Sequence, residues 1–236
     1  MTRIFHHDAL SALPRYEYTD PSVLAGIAAG ASWADPTMDP TSIDWAERQA
    51  LALVPFEVVD GRPVSPGAPT GIRYGRNLLG HWGEQRCADA LVIARTSGAH
   101  GGWPWLLMVE RADGHGWALP GGYCDPGEGP VTAAIRELRE ETGLIVSPAT
   151  CRLRVLPARV VPDPRASDEA WMVTTPLRID VGMVGDRLPD VTGLDDARRA
   201  AWIGAVDYAC VVRHLDMAYG GGVFAAHAGL LRDVLR

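Results

Sequence analysis

The segment 118–144, ALPGGYCDPGEGPVTAAIRELREETGL, constrains the fold more than any other stretch of the chain. Its punctuation predicts a helix over 130–142. Gly129 stands at the N-cap, Pro130 at the first helical position, and Gly143 just past the end, where a left-handed residue closes a helix. Val131, Ala134, Ile135 and Leu138 recur at helical spacing and predict a stripe turned to a core. Glu137, Glu140 and Glu141 share an adjacent face, where like charges cost a helix about 0.2–0.5 kcal/mol per pair. Arg136, one helical turn before Glu140, offsets part of that cost. A solvated acidic face is the ordinary reading of such a run. The other is a site for a hard divalent cation, magnesium or manganese, which carboxylates suit. Helical spacing leaves both open; Glu128 and the glycine pair upstream favour the cation.

The flanking sequence supplies strands. Apolar runs over 88–95, 103–111 and 117–120 precede the helix, and further strands are read near 153–161, 170–180 and 200–205. Residues 223–236 read as an amphipathic C-terminal helix. Strands, a helix, more strands and a final helix predict an α/β chain whose mixed sheet is covered by helices. Residues 1–85 differ, being rich in Pro, Asp, Ser, Thr and Gly with little sustained periodicity. They are expected to form a small irregular domain or wrapping arm, with the α/β domain occupying 86–236.

Charge and cysteine usage narrow the function classes. The net charge is −7 and the scattered basic residues are all arginine, so no stripe for a nucleic-acid backbone is present. The four cysteines, Cys87, Cys124, Cys151 and Cys210, form no metal-type pair and predict free thiols in a reducing cytoplasm. The first residues lack the apolar core of a signal peptide, and no apolar run approaches a membrane span. A monomer with no membrane partner is the expectation.

From Gly122 the chain reads G-x5-E-x7-R-E-L-x-E-E-x-G-L, filled by Gly122, Glu128, Arg136, Glu137, Leu138, Glu140, Glu141, Gly143 and Leu144. This pattern resembles the complete Nudix box. The resemblance implies a Nudix α/β/α sandwich that hydrolyses a nucleoside diphosphate linked to another group. It also implies magnesium, with manganese as an alternative, held by Glu137, Glu140, Glu141 and the carbonyl of Gly121. Arg136 would orient the glutamates, while Gly122, Glu128 and Gly143 shape the loop and helix. Cations would neutralise the pyrophosphate and activate water, and the glycines would let backbone approach closely. For the general base, Glu137 and Glu140 stand beside Asp168, Glu169, Asp195 and Asp196 as candidates.

The flanks are similar to the mitochondrial-type ADP-ribose pyrophosphatases, whose module also serves as the ADP-ribose sensor of a melastatin-type channel. That likeness implies substrate contacts from Asp163, Arg165 and His227, with Arg86, Cys87 and Asp89 nearby. Trp171 is expected in the core. Two loops depart from the subfamily: Ala68-Pro69-Thr70-Gly71 lacks an arginine, and Gly83-Glu84-Gln85-Arg86 replaces Gly-Pro-Asn-His. The leading expectation is cleavage of ADP-ribose to AMP and ribose 5-phosphate. A retuned enzyme acting on NAD or an NAD-derived intermediate, and a silent ADP-ribose-binding module, are the alternatives.

Overall fold

The computed structural model describes residues 16–97, 102–147 and 149–235. The N-terminal stretch read as lacking a signal-peptide core lies outside them up to residue 15. The chain divides into two compact units, residues up to Gln85 with Val160–Val173, and Arg86–Arg159 with Thr174–Arg236. The segment 160–173, expected with the C-terminal domain, thus groups with the first unit. Backbone bonds explain this: Ser65 N–H donates to the Asp168 carbonyl, Asp168 N–H to Ile72, and Leu78 N–H to Arg165.

The first unit contains β1 (Glu17–Thr19), α1 (Pro21–Ala28), α2 (Trp45–Leu51), β2 (Glu57–Val59), β3 (Arg62–Val64) and β4 (Tyr74–Asn77). It is more regular than its sequence suggests. Asp20 caps α1 through Ser22 N–H with Pro21 at the first position, and Asp44 caps α2 through Ala46 and Glu47. Between β2 and β3, Asp60 and Gly61 both take positive φ, 52° and 74°, the geometry of a two-residue hairpin turn. Trp171 is buried and packs edge-on against Phe56, which meets Trp45 the same way. Glu169 is fully buried, with both oxygens on Arg62 at 2.5 and 2.8 Å and a further bond from Gly75 N–H.

The remaining elements are β5 (Gly83–Thr96), β6 (Trp103–Arg111), β7 (Trp117–Ala118), β8 (Gly121–Tyr123), α3 (Pro130–Thr142), β9 (Arg152–Val155), β10 (Arg159–Val161), β11 (Ala170–Thr174), β12 (Leu177–Met183), β13 (Ala197–Gly204), α4 (Tyr208–Tyr219) and α5 (Ala225–Val234). In the second unit β5 is central, parallel to β12 and antiparallel to β6 and β8. The β12 edge continues antiparallel to β9, and β6 pairs antiparallel with β13 and β7. Residues of β5 alternate between two cores, as a strand's period of two requires. Ala88, Ala90, Val92 and Ala94 pack with Ala133, Ala134 and Leu138 of α3. Leu91 and Ile93 pack with Val211 and Leu215 of α4 and Leu230 and Leu231 of α5. A mixed sheet lies between α3 on one face and α4 and α5 on the other.

Helix α4 was missed from the sequence, although Asp207 caps it through Cys210 N–H and Gly220 closes it at φ 62°. The expected strand over 170–180 is two strands, because Thr175 and Pro176 interrupt it. Among the described residues no helix is long and apolar enough to cross a membrane.

Candidate active site

The site begins where β8 runs beside β5. Asp89 pairs with Gly121 and Ala88 with Gly122, so the glycines must fit between β5 and the helix. A Cβ on Gly121 would lie 2.5 Å from both the Ala88 carbonyl oxygen and Asp89 Oδ1. On Gly122 it would lie 2.5 Å from Glu137 Oε1. Neither glycine has positive φ, so the requirement is space for a carboxylate and a strand rather than an unusual backbone.

Helix α3 begins at Gly129 with Pro130 at its first position and ends at Gly143 with φ 69°. Ala133, Ala134 and Leu138 are buried, with Val131 and Ile135 packed beside them. Arg136 gathers Glu137 and Glu140 of this helix and Glu128 of the loop before it. The guanidinium Nε and Nη2 donate to Glu128 at 3.1 and 2.9 Å, and Nη2 also donates to the Tyr123 carbonyl at 3.0 Å. Nη1 donates to Glu137 at 2.8 Å and Glu140 at 3.0 Å. Two carboxylates therefore share one nitrogen while the rest of the guanidinium stays anchored on Glu128. The hydrogen bonds to Glu128, Glu137 and Glu140 push the Arg136 pKa up, and the bond from Arg136 holds the Glu128 pKa down.

Glu141 differs from its neighbours. It is buried and accepts Gly121 N–H at 2.9 Å. Burial, followed by the hydrogen bond and charge of Asp196, pushes its pKa up to about 9. Burial also raises the Glu137 pKa, with the charges of Glu140 and Asp196 adding to it against the pull of Arg136. Asp196 is brought here by a loop bound to the end of α3: Leu194 N–H donates to the Glu141 carbonyl at 3.0 Å and Thr192 N–H to Thr142 at 3.1 Å. Asp195 turns that loop at φ 52°.

These observations fit a divalent cation. Carboxyl groups in mutual contact sit so only by sharing a proton, and a cation relieves the same repulsion. The donors are hard oxygens, the class that magnesium and manganese prefer. Among the described residues no three acidic, His or Cys side chains already converge as a cage; Glu137 and Glu140 are instead turned onto Arg136.

Other expected site residues fall in different settings. Arg86 is exposed and Cys87 is buried opposite Tyr123. Asp89 and His227 are buried and engaged with each other, Nε2 to Oδ1 at 3.4 Å. Asp163 and Arg165 belong to the first unit and form a two-pronged ion pair at 2.9 and 2.7 Å. Of the base candidates, Asp168 is buried and accepts both Thr70 N–H and its hydroxyl at 2.8 Å. With Glu169 tied to Arg62, both acids hold the first unit together. The partnership of Asp196 with Glu141 and that of His227 with Leu119 had no local signal, since each joins residues far apart in sequence.

Residues 85–203 match the family model of the NUDIX domain. The mitochondrial ADP-ribose pyrophosphatase of Rattus norvegicus is 29% identical over 226 residues, 81% of this chain and 63% of the rat protein. Putative nudix hydrolase 6 of Caenorhabditis elegans is 33% identical over 201 residues, 79% of this chain and 74% of the worm protein. A transient receptor potential cation channel subfamily M member-like 2 of Nematostella vectensis is 28% identical over 202 residues, 77% of this chain but 12% of the channel. The chain therefore spans less than two thirds of the rat enzyme and a small part of the channel. The likeness read from the glycines, the arginine and the glutamates is borne out: the chain belongs to the Nudix hydrolase family.

Proposed function

We propose that this Nudix hydrolase cleaves the pyrophosphate of ADP-ribose, or of a closely related ADP-ribosyl compound, and releases AMP. The observation that carries the reading is the retention of every acid of the box, with Glu137 and Glu140 held by Arg136 and Glu141 bound to Gly121 N–H beside Asp196. Similarity to an enzyme named for ADP-ribose supplies the substrate class.

Glu137, Glu140, Glu141 and the Gly121 carbonyl would hold Mg2+, with Mn2+ able to replace it. Bound cations supply neutralisation of the pyrophosphate, polarisation of the attacked phosphorus and a lowered pKa for water. Arg136 keeps Glu137 and Glu140 aimed at one region, because its grip on Glu128 persists when either lets go. Glu137 or Glu140 takes the proton from the attacking water, the phosphorus–oxygen bond of the bridge breaks, and the leaving phosphate departs with the distal group. Arg86, which is exposed, would meet a phosphate of the substrate in this reading. The four cysteines are free, as they would be in any reducing compartment, the cytoplasm among them.

The test is mass spectrometry of products from ADP-ribose, NAD, sugar nucleotides and dinucleoside polyphosphates with Mg2+ or Mn2+. AMP and ribose 5-phosphate from ADP-ribose, with the highest kcat/KM of the panel, is the expected result. Preferred cleavage of NAD or a modified ADP-ribosyl compound would favour the retuned enzyme that the altered loops raise. Binding of ADP-ribose without cleavage of anything would leave a sensor.

A further inference from the structure

We infer that Asp89 and His227 form a positioning pair that fixes the segment from Leu119 to Gly122 against β5, and so sets where the Gly121 carbonyl and the Glu141 carboxylate stand for a cation. The inference rests on the reading of those two groups as cation-holding.

His227 Nδ1 accepts the N–H of Leu119 at 2.9 Å in a buried setting. An acceptor nitrogen carries no proton, so the ring's hydrogen is on Nε2, which faces Asp89 Oδ1 at 3.4 Å. The other oxygen of Asp89 accepts the Thr174 hydroxyl at 2.5 Å. Asp89 is in register with Gly121, and its Oδ1 fills the space where a Cβ on Gly121 would be, 2.5 Å away. Between them, Ala90 N–H bonds the Pro120 carbonyl at 2.7 Å. Gly121 N–H then holds Glu141 at 2.9 Å. A continuous path thus runs from α5 through His227 and Leu119 to the loop, and from Thr174 through Asp89 to the same loop. Both residues are buried, 7% and 5% exposed, and their polar atoms are committed to each other, to the Leu119 backbone and to the Thr174 hydroxyl. They act through the loop rather than by touching substrate. Supports of this kind typically change metal affinity or activity about 10–100-fold when removed.

Two variants of His227 separate the roles. His227→Asn retains a carbonyl oxygen where Nδ1 accepts from Leu119, whereas His227→Gln places its amide toward Asp89 and leaves the Leu119 N–H unmet. Mn2+ affinity would be measured by electron paramagnetic resonance, together with kcat and KM for ADP-ribose. His227→Gln should weaken Mn2+ binding and lower kcat by about tenfold or more while KM moves less than about threefold; His227→Asn should recover most of the affinity. Thr174→Val, acting from the Asp89 side, should shift Mn2+ affinity in the same direction and serves if His227→Gln fails to fold. Wild-type Mn2+ affinity in folded His227→Gln and Thr174→Val would overturn the positioning role. A KM that rises with Mn2+ affinity unchanged would also overturn it and make His227 a substrate contact. Wild-type protein that binds no Mn2+ would remove the cation reading itself, a result distinct from either.

Discussion

At the residue scale the site is a set of carboxylates held in tension. Glu141 is buried beside Asp196 and Glu137, so its charged form is opposed from both sides. Glu141→Gln removes that repulsion while keeping the side chain's length and its ability to accept Gly121 N–H. The expected outcome is a thermal midpoint no lower than that of wild type without added metal, and none of the midpoint rise expected of wild type when Mg2+ is added. Turnover should drop by orders of magnitude, as it should in Glu137→Gln. Differential scanning fluorimetry with and without Mg2+, paired with a product assay, reads all three. Near-wild-type activity of both variants at saturating Mg2+ would remove these glutamates from the cation site.

At the scale of the element, α3 is an ordinary helix with two glycines that serve different purposes. Gly143 has φ 69°, and a Cβ there would meet only Leu194 Cδ1 at 3.6 Å. Any penalty for Gly143→Ala is therefore backbone strain, expected at about 1–2 kcal/mol for a left-handed alanine. Gly129 has φ −82° and ψ 154°, provides no side-chain cap, and has open space around its Cβ position. Gly129→Ser is expected to stabilise by a few tenths of a kcal/mol through a cap to the first turn. Urea denaturation should show the two substitutions moving stability in opposite directions, with Gly143→Ala the larger.

At the scale of the whole molecule, each unit carries its own organising charge network. In the first unit, Glu169 is buried with Arg62 and Gly75 N–H as partners, and Arg73 lies 3.7 Å away. Glu169→Gln would leave a half-buried guanidinium without its anion. Breaking such a pair from one side costs about 3–5 kcal/mol, so calorimetry should show a lowered unfolding transition. An unchanged transition would mean that solvent replaces the lost partner. Glu169 had been a candidate for the general base, but its burial and its partners make it an anchor of the first unit.

What the sequence determined by itself is what spacing and local chemistry decide. Pro130 and Gly143 bound the helix, the apolar stripe turned Leu138 to the core, and the separation of Arg136 from Glu140 predicted a contact now seen at 3.0 Å. Each depends on residues within a few turns of one another, so the helical period suffices. The same reasoning could have found α4 from Asp207 and Gly220. Tertiary structure alone decided the rest. Glu141 faces Asp196 across a separate loop, His227 reaches Leu119 across more than a hundred residues, and the segment with Asp163 and Arg165 joins the first unit. These partners meet because the sheet brings distant strands and helices together, and no local period records which polar atoms will satisfy one another once water has been excluded.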